Sequence, residues 1–404
     1  MKGWLGAASG MFAVGWGANQ FVSMIVVYHD ERGISTAVND GLFGSYAVAL
    51  IVALLLGGPA ADLWGRRRIV RPSVALSLVA SVLLMLGNDS VPLLYAGRVV
   101  AGLASGGIFA AGTAWVKELS ADAAEDAGAR RAALALSMGF GLGPLITGIV
   151  GQWAPAPLVV AYVPHLVITV VALPAVWAAP ETLRAAANPG RAGFTSRLRV
   201  PSASQPRFLG VVAPAAPWVF AAPSLAFAVL PALVSDHLHG YAIVFSAAVA
   251  ATTLGTGVAI QPLARRLDHP GQITGTLCGL ISVAVGALVA VAAIAYSSPV
   301  LVLVAALPLG AGYGLGLVSG LLETQRLAGP DDLAGLTALY YALTYVGFAL
   351  PLVLAGLHSV AGYPALLSGV AGLAVLSAVV VRVNAGRAAA QPGALRRDSA
   401  ADSR

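Results

Sequence analysis

The chain has 404 residues, 58% of them hydrophobic and 10% charged, with a mean hydropathy of +0.84. That composition excludes an ordinary soluble globular protein. The formal net charge of +6 does not mark a nucleic-acid binder, because the basic residues follow the positive-inside pattern of a membrane protein; the single cysteine, Cys278, excludes an intramolecular disulfide.

A hydrocarbon core of ~30 Å calls for about 20 apolar residues per helix, and twelve segments of the chain qualify. The first centres near Val14. It contains Trp16, Asn19 and Gln20 and offers no small-residue cleavage site, so it reads as a membrane helix and not as a cleaved signal peptide. Trp16, Asn19, Gln20 and Ser23 have helical spacing and share a polar face. The second segment, near Leu50, carries Asp40 at one end and Tyr46 within it. It runs into Gly58–Arg68, G-P-A-A-D-L-W-G-R-R-R, a tight basic turn before the third segment near Val79. The fourth, near Gly107, holds Arg98 within the span and ends on Lys117 and Glu118. In the fifth, near Leu142, Gly139, Gly143, Thr147 and Gly151 recur every fourth residue, a small-sided face for close helix approach, with Pro144 able to bend it.

The sixth segment, near Val167, carries His165. After it, from Ala179 to Leu209, the apolar sequence gives way to a connector with Arg184, Arg191, Arg197, Arg199 and Arg207, which reads as a flexible linker on an anionic leaflet. Six more segments centre near Leu225, Ala251, Val285, Gly310, Val346 and Leu373, bringing Trp218, Cys278, Tyr313, Tyr340, Tyr341 and Tyr345. The expected organisation is a six-helix bundle over 1–178, a basic cytoplasmic linker over 179–209, a second six-helix bundle over 210–386 and a disordered cytoplasmic tail over 387–404. With both termini cytoplasmic, 21 of the 23 lysines and arginines fall on that side; Arg32 lies in an outer loop and Arg98 within a span. The halves also repeat. Gly139-Phe140-Gly141-Leu142-Gly143-Pro144-Leu145 returns as Gly347-Phe348-Ala349-Leu350-Pro351-Leu352, and Pro59-Ala60-Ala61-Asp62 as Pro262-Leu263-Ala264-Arg265, where the aspartate has become arginine.

The Gly58–Arg68 turn resembles the loop between helices two and three of the major facilitator superfamily (MFS) of secondary transporters. Gly58, Asp62, Gly65, Arg66 and Arg67 match; Ala60, where leucine is usual, and Leu63, where a basic residue is common, do not. The resemblance extends along nearly the whole chain and implies an all-α membrane protein, twelve transmembrane helices in two pseudo-symmetric six-helix bundles. It implies that Asp62 latches against the start of helix eleven, here Pro330-Asp331-Asp332, whose own acids would oppose it, and that Arg66, Arg67 and Arg68 meet acids such as Glu118. The competing reading gives the three arginines a topological role alone. Leu94–Gly102 resembles the family's fourth-helix motif, whose arginine is associated with proton or substrate coupling. Arg98 is thus either a coupling residue or a structural tie to backbone carbonyls. Gly139–Gly148 resembles the fifth-helix motif of family antiporters, with Thr147 in place of a glycine; Gly139, Gly143, Pro144 and Gly148 carry it, and tight packing alone is the alternative.

In the family fold, helices one, four, seven and ten line a central cavity. Asn19, Gln20, Tyr46, Trp218, Tyr313, Tyr341 and Tyr345 are the candidates to face it, each with a packing role as the alternative. No Asp or Glu lies near the middle of a span; Asp40, Asp236 and Glu323 sit at helix ends, so proton coupling has to use one of these or His165. The expected function is a secondary transporter of the inner cell membrane, a monomer working by alternating access without a cofactor. Its partners are a small-molecule substrate, the lipid bilayer and protons, with antiport efflux as the leading direction. Sugar or metabolite uptake is the alternative, implied by the resemblance of Pro180-Glu181-Thr182 after helix six to sugar porters; a non-transporting sensor is a further class. No phosphate loop ends in lysine, and no G-x-S-x-G or H-E-x-x-H motif occurs, which argues against an ATP-driven pump and an intramembrane hydrolase. The excess of arginine over lysine, 21 to 2, suggests a high-GC bacterium.

Overall fold

The computed structural model describes residues 3–123, 127–182, 200–267, 272–329 and 333–389. These residues form helices and no strand. Twelve helices are long and apolar enough to cross a membrane: α1 (Gly3–Arg32), α2 (Thr36–Trp64), α3 (Arg66–Asp89), α4 (Val91–Glu118), α5 (Arg130–Trp153), α6 (Pro157–Ala178), α7 (Phe208–Leu233), α8 (Ala242–Ala264), α9 (Thr274–Ala295), α10 (Pro299–Leu327), α11 (Gly335–Leu357) and α12 (Tyr363–Arg387). Most of the linker and the tail beyond Ala389 lie outside the described residues, as do Asp331, Asp332 and the side chain of Arg265.

Two helices are visibly deformed by their sequence. Pro214, Pro217, Pro223 and Pro231 each remove an amide from α7, which answers with wide turns at Phe208–Val212 and Leu225–Val229. In α11, Pro351 cannot bond the carbonyl of Gly347; the backbone tightens over Gly347–Ala349 and the Ser224 hydroxyl of α7 donates to that carbonyl at 3.3 Å. The bend is therefore satisfied, and in satisfying it α7 and α11 are tied together.

The helices assemble as two similar sets of six. In the first, α4 packs on α2 and α3; in the second, α10 packs on α8 and α9. The seams are built the same way, with Gly102 and Gly106 of α4 against the backbone of Tyr46 and Leu50, and Gly310 and Gly314 of α10 against that of Thr253 and Gly257. Each glycine of the second pair stands 208 residues after its counterpart. At all four, a Cβ would meet a carbonyl oxygen, so only glycine permits this approach. Gly139 against α1 and Gly347 against α7 repeat the relation on another seam, at the same separation. Opposite these seams, Val48, Val52 and Leu56 on α2, and Leu373, Leu376, Val380 and Val383 on α12, form exposed apolar stripes at helical spacing. A bilayer is the solvent such stripes fit.

Candidate functional site

The basic turn is organised by Gly65, whose φ of 101° is strained for any residue with a Cβ. It reverses the chain between α2 and α3 and leaves the first amides of α3 without intrahelical partners. Glu181, just past α6, supplies them: its carboxylate accepts from the amides of Arg66 and Arg67, both at 3.0 Å. A carboxylate on a helix N-terminus is favoured by the aligned peptide dipoles as well as by the two hydrogen bonds. The Arg66 guanidinium then bridges Asp62, at 2.5 Å, and Glu118 at the end of α4, at 2.8 Å. Thr182 donates its hydroxyl to the same Glu118 carboxylate. Gly58 borders Ala110 of α4. Arg68 is exposed, while the Nε of Arg67 is buried without a partner among the described residues. The network thus ties α2, α3, α4 and α6 together, all in the first half. Glu181 and Thr182 are its unforeseen members; the sequence pointed to them only through a three-residue resemblance.

Arg98 is fully buried. Its Nε donates to the carbonyl of Leu42 at 3.2 Å, and its guanidinium lies 4.4 Å from the ring centroids of both Phe21 and Tyr46. Two aromatic faces offset part of the cost of a buried cation. Neither Nη has a hydrogen-bond partner among the described residues, and no carboxylate pairs with it there. Arg98 therefore holds α4 to α2 and α1 while keeping donor capacity unused.

The candidate cavity residues separate into two groups. Tyr46, Tyr313 and Tyr345 belong to one aromatic cluster with Phe220 and Phe348: the Phe220 ring stacks on Tyr345 at 4.4 Å and on Phe348 at 4.9 Å, and lies 5.6 Å from Tyr313, while Tyr46 meets Phe348 at 6.4 Å. Tyr341 is half-buried beside Tyr340, whose hydroxyl donates to α10 carbonyls. Asn19 is buried where α1 breaks. The other group points elsewhere. Trp218 donates from its indole to Ser377 of α12 at 2.9 Å. Gln20 donates to Ser81 of α3 at 2.7 Å, inside the first bundle. Ser81 in turn meets the Nδ1 of His165 at 2.8 Å, and the opposite ring nitrogen lies 3.1 Å from both the Ala13 carbonyl and the Thr169 hydroxyl. That ring is fully buried and bonded through both nitrogens, an arrangement suited to pinning α1, α3 and α6 together.

On α5, Gly139 and Gly143 lie against the backbone of Phe12, Gly15 and Trp16 of α1, and Ser23 donates to the carbonyl of Pro144 at 2.7 Å. Gly148 sits against both Ala247 of α8 and Ser23 of α1. The small-residue face of α5 thus packs on its own half at Gly139 and Gly143 and on both halves at Gly148 and Gly151.

The hydrogen bonds and ring contacts between the halves are one-sided among the described residues. Among the described residues, every hydrogen bond and ring contact that crosses them lies from Tyr46 toward the end opposite the basic turn. Gln152 of α5 donates to the carbonyl of Gly240 at 2.8 Å and accepts from the amide of Val244 at 3.2 Å. Phe43 of α2 meets Phe348 at 4.9 Å and Phe227 at 6.3 Å. At the basic end, Arg66 pairs within the first half, and Arg207 with Glu323 and Gln205 with the Leu327 carbonyl within the second.

A family model described as the Major Facilitator Superfamily matches residues 5–227. A sequence search among curated proteins finds no match. Among solved structures, a peptide transporter POT in complex with sulfate is 15% identical, with 96% of this chain and 94% of that chain covered at a TM-score of 0.76. A mutant of the nucleoside transporter NupG is 11% identical over 94% and 98%, at 0.72. The human organic anion transporter MFSD10 (TETRAN) is 18% identical over 94% and 97%, at 0.64. At these identities the likeness establishes the fold and leaves the cargo open.

Proposed function

We propose, from the premise that this chain belongs to the Major Facilitator Superfamily, that this multi-pass membrane transporter carries its small-molecule substrate by alternating access, coupled to protons and in the direction of efflux. The observation that carries the reading is the one-sided closure among the described residues: the halves are joined at the end opposite the basic turn, and the ion pairs of Arg66 and Arg207 at the basic end stay within each half. The positive-inside rule makes the basic end cytoplasmic, so this conformer is closed to the outside. Rocking the halves would break the Gln152 and Phe43 contacts and open that side.

Arg98 supports coupling because its guanidinium, with donors unused among the described residues, lies 4.4 Å from the ring centroid of Tyr46, a member of the aromatic cluster between the halves. The rings of Phe220, Tyr313, Tyr345 and Phe348 suit a lipophilic or cationic cargo. Uptake of a sugar or other metabolite is the second reading. It is favoured by Pro180-Glu181-Thr182, whose glutamate and threonine are built into the basic-turn network.

A transport screen in inverted membrane vesicles, with and without an imposed proton gradient, tests both readings. Antiport efflux predicts gradient-driven accumulation of a substrate inside the vesicles, lost in Arg98→Ala. Accumulation indifferent to the gradient would end the proton proposal, and movement only in the opposite sense would favour uptake.

A further inference from the structure

At the end opposite the basic turn, a cavity of about 290 Å³ lies between the halves. The first half contributes Ile25, His29, Asn39 and Asp40 to its wall, and the second contributes Ser235, His358 and Tyr363. Asp40 is only 3% exposed, on the first turns of α2, and it faces this space. No hydrogen-bond donor and no cation pairs with its carboxylate among the described residues. Its neighbour Asn39 is buried as well; the amide nitrogen donates to the Ile25 carbonyl at 3.2 Å, while the amide oxygen has no partner among the described residues. Two buried acceptors thus border one cavity and lack donors among the described residues.

A charged carboxylate buried without a protein partner is costly, and a bound proton removes the charge and supplies a donor. Because both halves wall the cavity, separating them at this end would return Asp40 to water. A proton on Asp40 therefore favours the closed state, and closure favours the proton, as linkage requires. We propose that this cavity is a proton-loading site reached from outside, with Asp40 the group that takes up the proton before the outer end closes. The assignment rests on the proton-coupled reading above and adds to it the residue and the side of loading.

Other ionisable groups bear on the site. His29 and Asp30 of α1, His358 beyond α11 and Tyr363 of α12 line the same cavity. On α4, the Tyr95 hydroxyl donates to the Val38 carbonyl and Arg98 to that of Leu42, so both reach the turns of α2 that flank Asp40. Nearby Arg32 is paired with Asp89 and does not line the cavity. A metal is a poorer occupant than a proton, since no group of three or more His, Cys, Asp or Glu able to hold one occurs among the described residues.

Dicyclohexylcarbodiimide adds covalently to protonated carboxyl groups in apolar surroundings, and peptide mass spectrometry locates the adduct. Applied to the full-length wild-type protein in detergent, it should modify Asp40 but not exposed Asp30 or Asp236. The modification should fall at least about fivefold as pH rises from about 5 to about 8, because only the protonated acid reacts. Asp40→Asn should lose the adduct, and Asp40→Glu, which keeps the acid, should retain it. An unmodified Asp40 at the acid end, modification indifferent to pH, or protection by sodium chloride but not choline chloride would each overturn the assignment. Gradient-driven transport in a wild type whose Asp40 stays unmodified would remove this site alone and leave the proposed function standing.

Discussion

Arg66 and Arg98 are both arginines near acids or rings, yet their surroundings give them different work. The Arg66 side chain is 13% exposed and holds two carboxylates, Asp62 and Glu118. Bidentate pairing of this kind exceeds the small contribution of a solvated surface ion pair. Asp62→Asn keeps shape and loses charge, leaving Glu118 in place. It should lower transport by about tenfold, or about 1.4 kcal/mol, without reducing the amount of membrane-inserted protein; equal losses in both assays would make the turn a folding element. Arg98 has no carboxylate to lose among the described residues. Its two ring contacts and its planar fork are the features a lysine cannot reproduce. Arg98→Lys should therefore fall between wild type and Arg98→Ala in transport, and transport unchanged in both variants would rule out coupling through this residue.

Helices meet in this protein where side chains are missing. Gly102 stands where a Cβ would press on the Tyr46 carbonyl of α2, whereas nothing lies within 4 Å of a Cβ at Gly141 of α5. Gly102→Ala should lower the melting temperature in detergent, with a cost of about 1–3 kcal/mol from overpacking, while Gly141→Ala should leave it unchanged. Comparable melting points for the two would remove close approach as the reason for the α2–α4 seam. The same spacing of 208 residues links Gly102 to Gly310 and Gly139 to Gly347. The repeat is thus legible as a motif in α5 and α11, but its counterpart in α4 and α10 is hidden among the many glycines of an apolar chain. Distinguishing the glycines that touch backbone from those that face open space requires the partner helix.

At the scale of the molecule, the two halves touch through α2 with α11 and α5 with α8, pairs exchanged by the pseudo-symmetry. Cysteines at Gln152 and Val244, in a Cys278→Ser background, should accept a short thiol cross-linker because the native side chain of Gln152 already bonds the amide of Val244. Cross-linking should arrest transport, and cleavage of the linker should restore it. Full transport with the link in place would mean that this end does not open during the cycle. Substitution of Phe43 by alanine should act in the opposite sense, raising thiol access to that end, since Phe43 contacts both Phe227 and Phe348 of the second half.

The sequence alone determined the helices, their number and the location of the basic turn, because these follow from local quantities: apolar run length, the spacing of small residues and the fixed charge pattern of Gly58–Arg68. Tertiary structure decided which polar residues have partners. Gln20 and Trp218 carry the same signal in one dimension as Tyr46 and Tyr345, but packing turns the first two toward Ser81 and Ser377 and the others into the aromatic cluster between the halves. His165 and Asp40 diverge for the same reason. One ring is bonded through both nitrogens, and one carboxylate faces a cavity without a donor among the described residues, a difference made by residues distant in the chain that no local pattern encodes.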